Sequence, residues 1–191
     1  MADLLGMDPA RIERLRSPER LTYLDPERLW EVLAPVEAGV IVDIGAGVGF
    51  LTFPFARRFP RSIVYACDIL EGMLGLVAEA AAEEGLTNLR TRLMEPSHVP
   101  FPEAGVDLVI MAQVHHELDD PPALLGECHR LLVPGGTLAI VDWKDEGNDI
   151  CPAGGRRVPA SVIVEQMAGA GFVGVAAHDI YRYHNFLTGI T

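Results

Sequence analysis

The stretch Val40-Ile41-Val42-Asp43-Ile44-Gly45-Ala46-Gly47-Val48-Gly49-Phe50 decides the fold. An apolar run, interrupted only by Asp43, gives way to glycines at every second position, and a helix-like segment follows. This is the pattern of a buried parallel strand that feeds a tight turn into a helix N-terminus. Glycine suits the turn because it tolerates positive φ and has no Cβ to hold a ligand's polar atoms off the backbone amides. Unpaired N–H groups at the start of the helix aim at the same spot. The stretch therefore predicts a nucleotide-type pocket.

The spacing narrows the choice of nucleotide. A dinucleotide fingerprint places its third glycine three residues after the second, and here Phe50 stands there. A phosphate-binding loop needs a closing Lys-Ser or Lys-Thr pair, which is missing. Asp43, two residues before the first glycine, would repel a pyrophosphate. It suits a ligand with a cationic end.

The glycine turn is similar to motif I of the class I S-adenosylmethionine-dependent methyltransferases, and the resemblance continues down the chain. Asp68 follows the next strand, where the family has an acid for the ribose hydroxyls. Glu95 precedes Val99-Pro100-Phe101, in the place of the family's acid and Leu-Pro-Phe-like stretch. Val106-Asp107-Leu108-Val109-Ile110-Met111 resembles its D-L-V strand, and Arg130-Leu131-Leu132-Val133-Pro134-Gly135-Gly136-Thr137-Leu138 its R-x-L-x-P-G-G-x-L motif. The likeness covers roughly residues 38–190 and is greatest to the small-molecule enzymes of ubiquinone and menaquinone biosynthesis. It implies a Rossmann-like α/β fold: a mostly parallel seven-stranded sheet with helices on both faces and an antiparallel C-terminal hairpin.

Length and composition agree with one such domain. The chain has 191 residues, 49% hydrophobic and 22% charged, enough for a sizeable core. A formal charge of −12 disfavours a free nucleic-acid backbone as partner, because phosphate contacts rely on clustered Lys and Arg. No apolar run approaches the roughly 18 residues of a membrane span. Met1-Ala2-Asp3-Leu4-Leu5 lacks a basic region ahead of an apolar one, so a cytoplasmic protein is expected. Cys67, Cys128 and Cys151 make an odd count without metal-type spacing, which fits free thiols in a reducing compartment.

The first 38 residues are expected to form a helical segment ahead of a domain spanning 39–191. Asp8-Pro9, Ser17-Pro18 and Asp25-Pro26 each place an N-cap residue before a proline, and so predict three successive helix starts. By resemblance this segment lies over the cofactor and substrate mouth. Its aromatic residues Tyr23 and Trp30 fit core packing better than ligand stacking. Predicted strands span 39–43, 62–67, 89–94, 106–112 and 136–142, alternating with helices over 48–59, 71–84 and 121–132. A polar loop over 143–158, with Gly147, Pro152, Gly154 and Gly155, precedes a helix over 159–170. Strands over 172–178 and 181–189 lie too close in sequence for a crossover helix and must pair antiparallel.

Ligands of open α/β sheets bind beyond the carboxyl ends of the strands, where strand order reverses. Carried over position by position, the resemblance implies that Gly45, Ala46, Gly47 and Gly49 receive the methionine part of S-adenosylmethionine. Asp43 orients its amino end, Asp68-Ile69 hold the ribose, Glu95-Pro96 receive the adenine, and Ala112-Gln113 complete the site. The acceptor is a small molecule. Methyl transfer needs alignment more than covalent help, and a base only where the acceptor must lose a proton. His116, near which the family places a histidine, and His115 are the candidates for that base. A zinc-hydrolase reading of His116-Glu117 fails because Asp120 stands where the second histidine would fall. Met111–Val114 lacks the Asn-Pro-Pro-Tyr type of motif for amide or exocyclic base methylation, and Asp142 reads as structural. Two other readings stay open: an inactive cofactor-binding scaffold of the same fold, and a nicotinamide-dependent oxidoreductase resting on the glycine turn and Asp68.

Overall fold

A computed structural model describes residues 8–33, 39–145, 150 and 156–191. The expected boundary at residue 38, the Met1–Leu5 terminus, Cys151 and the loop residues Gly147, Pro152, Gly154 and Gly155 lie outside the described residues.

Each of the three capping phrases starts a helix. Asp8 accepts from Ala10 N–H at 3.1 Å ahead of α1 (Pro9–Arg16). Ser17 Oγ accepts from Glu19 N–H at 3.3 Å ahead of α2 (Arg20–Tyr23), and Asp25 accepts from Glu27 N–H at 2.9 Å ahead of α3 (Glu27–Trp30). Beyond them the elements alternate: β1 (Val40–Ile44), α4 (Thr52–Arg58), β2 (Ile63–Asp68), α5 (Glu71–Glu83), β3 (Leu89–Leu93) and β4 (Val106–Ala112). A single 3-10 turn (His115–Glu117) leads to α6 (Pro121–Leu131), β5 (Leu132–Trp143), α7 (Ala160–Gly169), β6 (Val173–His178) and β7 (His184–Ile190).

The seven strands run in the order β3-β2-β1-β4-β5-β7-β6. All neighbours are parallel except β5 with β7 and β6 with β7, so the expected antiparallel ending is present. Strand order reverses between β1 and β4, and that parting fixes where a ligand can enter the sheet. The central strands are buried on both faces and divide their side chains alternately. Ile41, Leu108, Ile110, Ala139 and Val141 face one core with Phe55 and Val77. Val42, Ile44, Met111, Leu138 and Ile140 face the other with Leu125 and Met167. Trp30 packs edge-on against Phe55 and Phe59, at 6.1 and 6.2 Å between ring centroids, as the core reading of that residue requires.

Two boundaries differ from the sequence expectation for local reasons. α4 begins at Thr52, not residue 48, because Gly47 and Gly49 are left-handed (φ +53° and +83°) and hold the chain in turns. β5 begins at Leu132, ahead of the expected 136, because the chain bulges between its pairings with Val106 and Leu108 and so absorbs Pro134 and Gly135.

The R-x-L motif has a structural job. Glu127 accepts from Arg130 Nε at 2.7 Å and from Val99 N–H at 2.8 Å, while Arg130 also donates to the carbonyls of Phe101 (3.1 Å) and Val99 (3.3 Å). This ties 99–101 to α6. Arg130→Ala is expected to cost about 1–3 kcal/mol, since it strips Glu127 of its main donor. Urea unfolding measures the loss, and amide exchange at Val99 and Phe101 should quicken with it.

Candidate active site

The three glycines after β1 do three different things. Gly45 (φ +66°) lies against Val114, whose Cγ2 an added Cβ would strike. Gly47 (φ +53°) faces open space, with Leu15 Cδ1 at 3.9 Å the nearest atom to an added Cβ. Gly49 packs on the Phe53 ring, 2.6 Å from where a Cβ would sit, and on Val77. Gly45, Ala46 and Gly47 border a cleft of about 820 Å³, within the roughly 300–1,000 Å³ of small-molecule sites. Gly49 does not. Its glycine serves helix entry, contrary to the ligand-facing expectation for that position.

Two of the carboxylates that line this cleft, Asp43 and Asp68, stand beside the glycine turn. Asp43 is 3% exposed and accepts from Thr52 Oγ1 at 2.6 Å. Burial pushes its carboxyl up to about 7, against the opposing pull of the Thr52 hydrogen bond and with the help of the Asp68 charge. Asp68, at the tip of β2, accepts from Gly47 N–H at 2.8 Å and from Leu70 N–H at 2.9 Å. The two acids thus flank the bare main chain of Gly45–Gly47, and Ile69 beside Asp68 is a half-exposed apolar wall.

The next strand tip differs from expectation. Glu95 is exposed, and its backbone exchanges hydrogen bonds with that of His98 (2.9 and 3.2 Å). Met94, Pro96 and Ser97 line the cleft at that place instead. The tight 95–98 bridge turns the Glu95 side chain outward, so Pro96 stays in the site and Glu95 leaves it.

Ala112, Gln113 and Val114 close the far side. Gln113 has φ +57°, an uncommon conformation for a residue with a side chain, and its amide joins three elements. Arg20 of α2 donates to Gln113 Oε1 at 2.7 Å, so the other amide atom is the NH₂, which lies 2.9 Å from His184 Nε2 of β7. His184 is fully buried, and burial pushes its imidazole down to about 4; the neutral ring accepts from the amide. Tyr23 stacks on His184 (5.9 Å, 14°) and Trp143 lies 4.1 Å away. Tyr23 packs against the core as expected and also forms part of the cleft wall. Arg20, 6% exposed, lies over the Phe50 ring at 3.9 Å and donates to Leu15 O at 2.9 Å.

The two neighbouring histidines separate completely. His115 is 1% exposed, turned away from the cleft, and burial holds its imidazole below the usual range. It is removed from the candidate bases. His116 lines the cleft. Asp142, at the end of β5 and 1% exposed, receives its Nδ1 at 2.7 Å and its backbone N–H at 2.9 Å. Burial pulls the His116 imidazole down, but the Asp142 hydrogen bond and charge, with Glu117, carry it above the ordinary histidine value. Arg156 donates to the carbonyls of His116 and Leu118 and so fixes the turn.

Sequence reasoning missed Thr52, Arg20 and His184, and favoured a structural role for Asp142. The register held a signal for Asp142. Ala112 pairs with Val141, so Asp142 falls one step beyond, beside the turn that carries His116. Nothing in the order of residues points to Arg20 or His184, which arrive from opposite ends of the chain.

Comparison with known proteins places these features in a family. Residues 42–140 match the family model described as a methyltransferase domain. A ubiquinone/menaquinone biosynthesis C-methyltransferase of Cupriavidus pinatubonensis is 30% identical over 123 residues, 61% of this chain and 50% of that protein. A nocamycin O-methyltransferase of Saccharothrix syringae is 32% identical over 114 residues, 59% of this chain and 41% of its own length. The chain thus spans half or less of the length of these curated relatives. A crystal structure of a SAM dependent methyltransferase from Aquifex aeolicus superposes with a TM-score of 0.89 at 29% identity, covering 96% of this chain and 98% of the other.

The geometry of the glycine turn separates two substitutions. Both Gly45→Ala and Gly47→Ala place a side chain at positive φ, which costs about 1–2 kcal/mol. Gly45→Ala must also displace Val114, adding roughly 1–3 kcal/mol of overpacking. Urea denaturation of the two variants should rank Gly45→Ala as the less stable.

Proposed function

The chain belongs to the methyltransferase domain family, and on that premise we propose that it transfers a methyl group from S-adenosylmethionine to a small-molecule acceptor. The observation that carries this reading is the pair of carboxylates, Asp43 and Asp68, on either side of the open backbone at Gly45–Gly47. Asp43 is an acid at 3% exposure that meets the neutral Thr52 as its hydrogen-bonding partner among the described residues, and a cationic ligand group relieves that burial. A pyrophosphate would worsen it, which is the specific point against a nicotinamide cofactor.

In this reading Gly45, Ala46 and Gly47 receive the methionine part and Asp43 its ammonium. Asp68 accepts from the ribose hydroxyls with the lone pairs left free by the Gly47 and Leu70 amides. Ile69, Met94 and Pro96 form the apolar wall for the base, and Ala112 and Gln113 face the reacting end. When bound, the cofactor supplies an electrophilic methyl carbon on a sulfonium. The chain's own contribution is to hold it, to exclude water and to present an acceptor in line. The N-terminal helices, as a segment ahead of the domain from 39 onward, supply Arg11, Arg14, Leu15, Arg20 and Tyr23 to the cleft rim. A cytoplasmic location goes with this reading; among the described residues no helix is long and apolar enough to cross a membrane.

Calorimetric titration with S-adenosylhomocysteine is expected to give one site per chain in the micromolar range, and Asp68→Ala to weaken it at least tenfold, about 1.4 kcal/mol. Lack of binding at millimolar ligand would remove the proposal. Saturable binding without turnover across a wide acceptor screen would instead favour a cofactor-binding scaffold.

The state of Asp43 sets a pH dependence for S-adenosylmethionine. The free site holds a proton below about 7, and the ligand ammonium favours the ionised carboxylate, so binding must expel that proton. Affinity should therefore rise as pH increases from about 5.5 to 7 and then level off. Titrations in buffers of different ionisation enthalpy should show proton release near pH 6, and Asp43→Asn should abolish it.

A further inference from the structure

A second cavity adjoins the cleft and carries a different balance of charge. It encloses about 330 Å³, at the lower end of the range for small-ligand sites. Tyr23 and Ile150 line both cavities, so the second is an annex of the first. Arg28 of α3 and Arg182, from the connection between β6 and β7, supply its cations, and Asp25 stands among its walls as an acid.

The two arginines come from opposite ends of the chain, and one hydrogen bond brings them together. Tyr181 is 2% exposed, and its hydroxyl donates to the Asp25 carbonyl at 2.6 Å. This pins the start of α3 to the β6–β7 connection. The Asp25 carboxylate is engaged by its own helix, accepting from Glu27 N–H at 2.9 Å. Arg28 lies 5.8 Å from the centroid of the Tyr181 ring, and Arg182 lies 5.0 Å from that of Tyr183. Among the described residues neither guanidinium has a hydrogen-bond acceptor or a carboxylate partner. Both are exposed, and their donors remain available to a ligand.

The cleft itself is poor ground for an anion. Asp43, Asp68, Glu117, Asp119 and Asp120 line it. Of its arginines, Arg11 reaches Glu117, Arg20 is spent on Leu15 O and Gln113, and Arg156 is spent on the carbonyls of His116 and Leu118. Resting on the methyl-transfer reading, we propose that the annex is an acceptor subsite: Arg28 and Arg182 hold an oxyanion, carboxylate or phosphate, at the end of the acceptor remote from the methyl-receiving atom. Guanidinium forks match either oxyanion, and the tyrosine rings give its apolar carrier a face to lie on. The body of the acceptor passes along Tyr23 into the cleft. Charge is thereby sorted along one molecule, with the anion kept apart from Asp43 and Asp68.

The test begins with S-adenosylhomocysteine calorimetry on wild type, Arg28→Gln, Arg182→Gln and Arg16→Gln. Arg16 is exposed on α1 and borders neither cavity. All four proteins are expected to bind within about twofold. Failure of the wild type to bind counts against the methyl-transfer reading, whereas the next step reads the annex alone. With and without S-adenosylhomocysteine, 4-phenylbutyrate, 3-phenylpropyl phosphate and the neutral 4-phenylbutyramide are titrated into each protein. The arginine Nε–H signals and the Trp143 indole N–H are followed by NMR.

Both anions should move the Arg28 and Arg182 signals saturably and bind at least about tenfold more tightly than the amide. The tighter of the two identifies the oxyanion. Arg28→Gln and Arg182→Gln should each weaken anion binding about tenfold, as expected for one charge-assisted hydrogen bond. Arg16→Gln should weaken it by less than about twofold, since a distant exposed charge is screened. The phenyl protons of the bound anion should show nuclear Overhauser contacts to Trp143, which lines the cleft 6.0 Å from Tyr23 between ring centroids. Equal affinity for the amide, shifts centred on Arg14 in place of Arg28 and Arg182, or an equal loss in Arg16→Gln would overturn the site. Contacts at the two arginines with none at Trp143 would overturn its assignment to the acceptor.

Discussion

A carboxylate on the central strand, without a cationic hydrogen-bonding partner, is the constraint on which the site depends. Asp43 sits one residue before the end of β1, pairs across the sheet with Ala66 and Ile110, and is 3% exposed. Burying a charge costs several kcal/mol unless it is paired, and among the described residues its hydrogen bonds come from the neutral Thr52. The parting of β1 and β4 creates the space, and the glycine turn keeps that space open. Thr52 holds the acid in place without neutralising it. A fold that needed only stability would have placed an apolar residue there, as it did at Val42 and Ile44 on the same strand.

Much of the architecture was legible because it follows from chain-local physics. Continuous apolar runs separated by amphipathic segments specify a parallel sheet. The spacing between residues 178 and 184 leaves no length for a crossover, so the antiparallel hairpin was already decided. The Pro-preceding caps worked for the same reason: Asp8, Ser17 and Asp25 act on amides two residues away. Which side chain faces the cleft was less legible. Gly45, Gly47 and Gly49 look alike in sequence, yet they meet Val114, open space and Phe53 respectively. Those neighbours come from the loop after β4 and from the following helix, and spacing alone does not report them. Glu95 was lost to a four-residue bridge that rotates its side chain outward, and His115 to the 3-10 turn, which sends adjacent residues in opposite directions.

The network around Gln113 explains how two distant parts of the chain govern the same wall. Arg20 comes from the N-terminal helices and His184 from the last strand, and a single amide spans them with both of its polar ends used. The left-handed backbone at Gln113 (φ +57°) is held by Gln113 N–H donating to Val141 O at 2.7 Å. Such strain persists where surroundings over-determine it. It brings the side chain to the seam between the N-terminal cover and the sheet, so the rim of the cleft and its floor are coupled through one residue.

Three strand tips carry acids on this edge of the sheet, and their partners assign them different chemistry. Asp68 is bonded by two backbone amides, donors that stay put and leave its remaining lone pairs directed outward. Asp43 has one hydroxyl and a raised proton affinity, which makes it responsive to a cation. Asp142 is consumed by His116 and by the Trp143 N–H at 2.7 Å, so its charge reaches the cleft only through an imidazole. The acids sit on β2, β1 and β5, with β4 between the last two. One side of the parted strands therefore carries two acids beside the glycine turn, and the other carries an imidazole backed by an acid. Residue type at a strand tip thus says less about chemistry than the group packed against it.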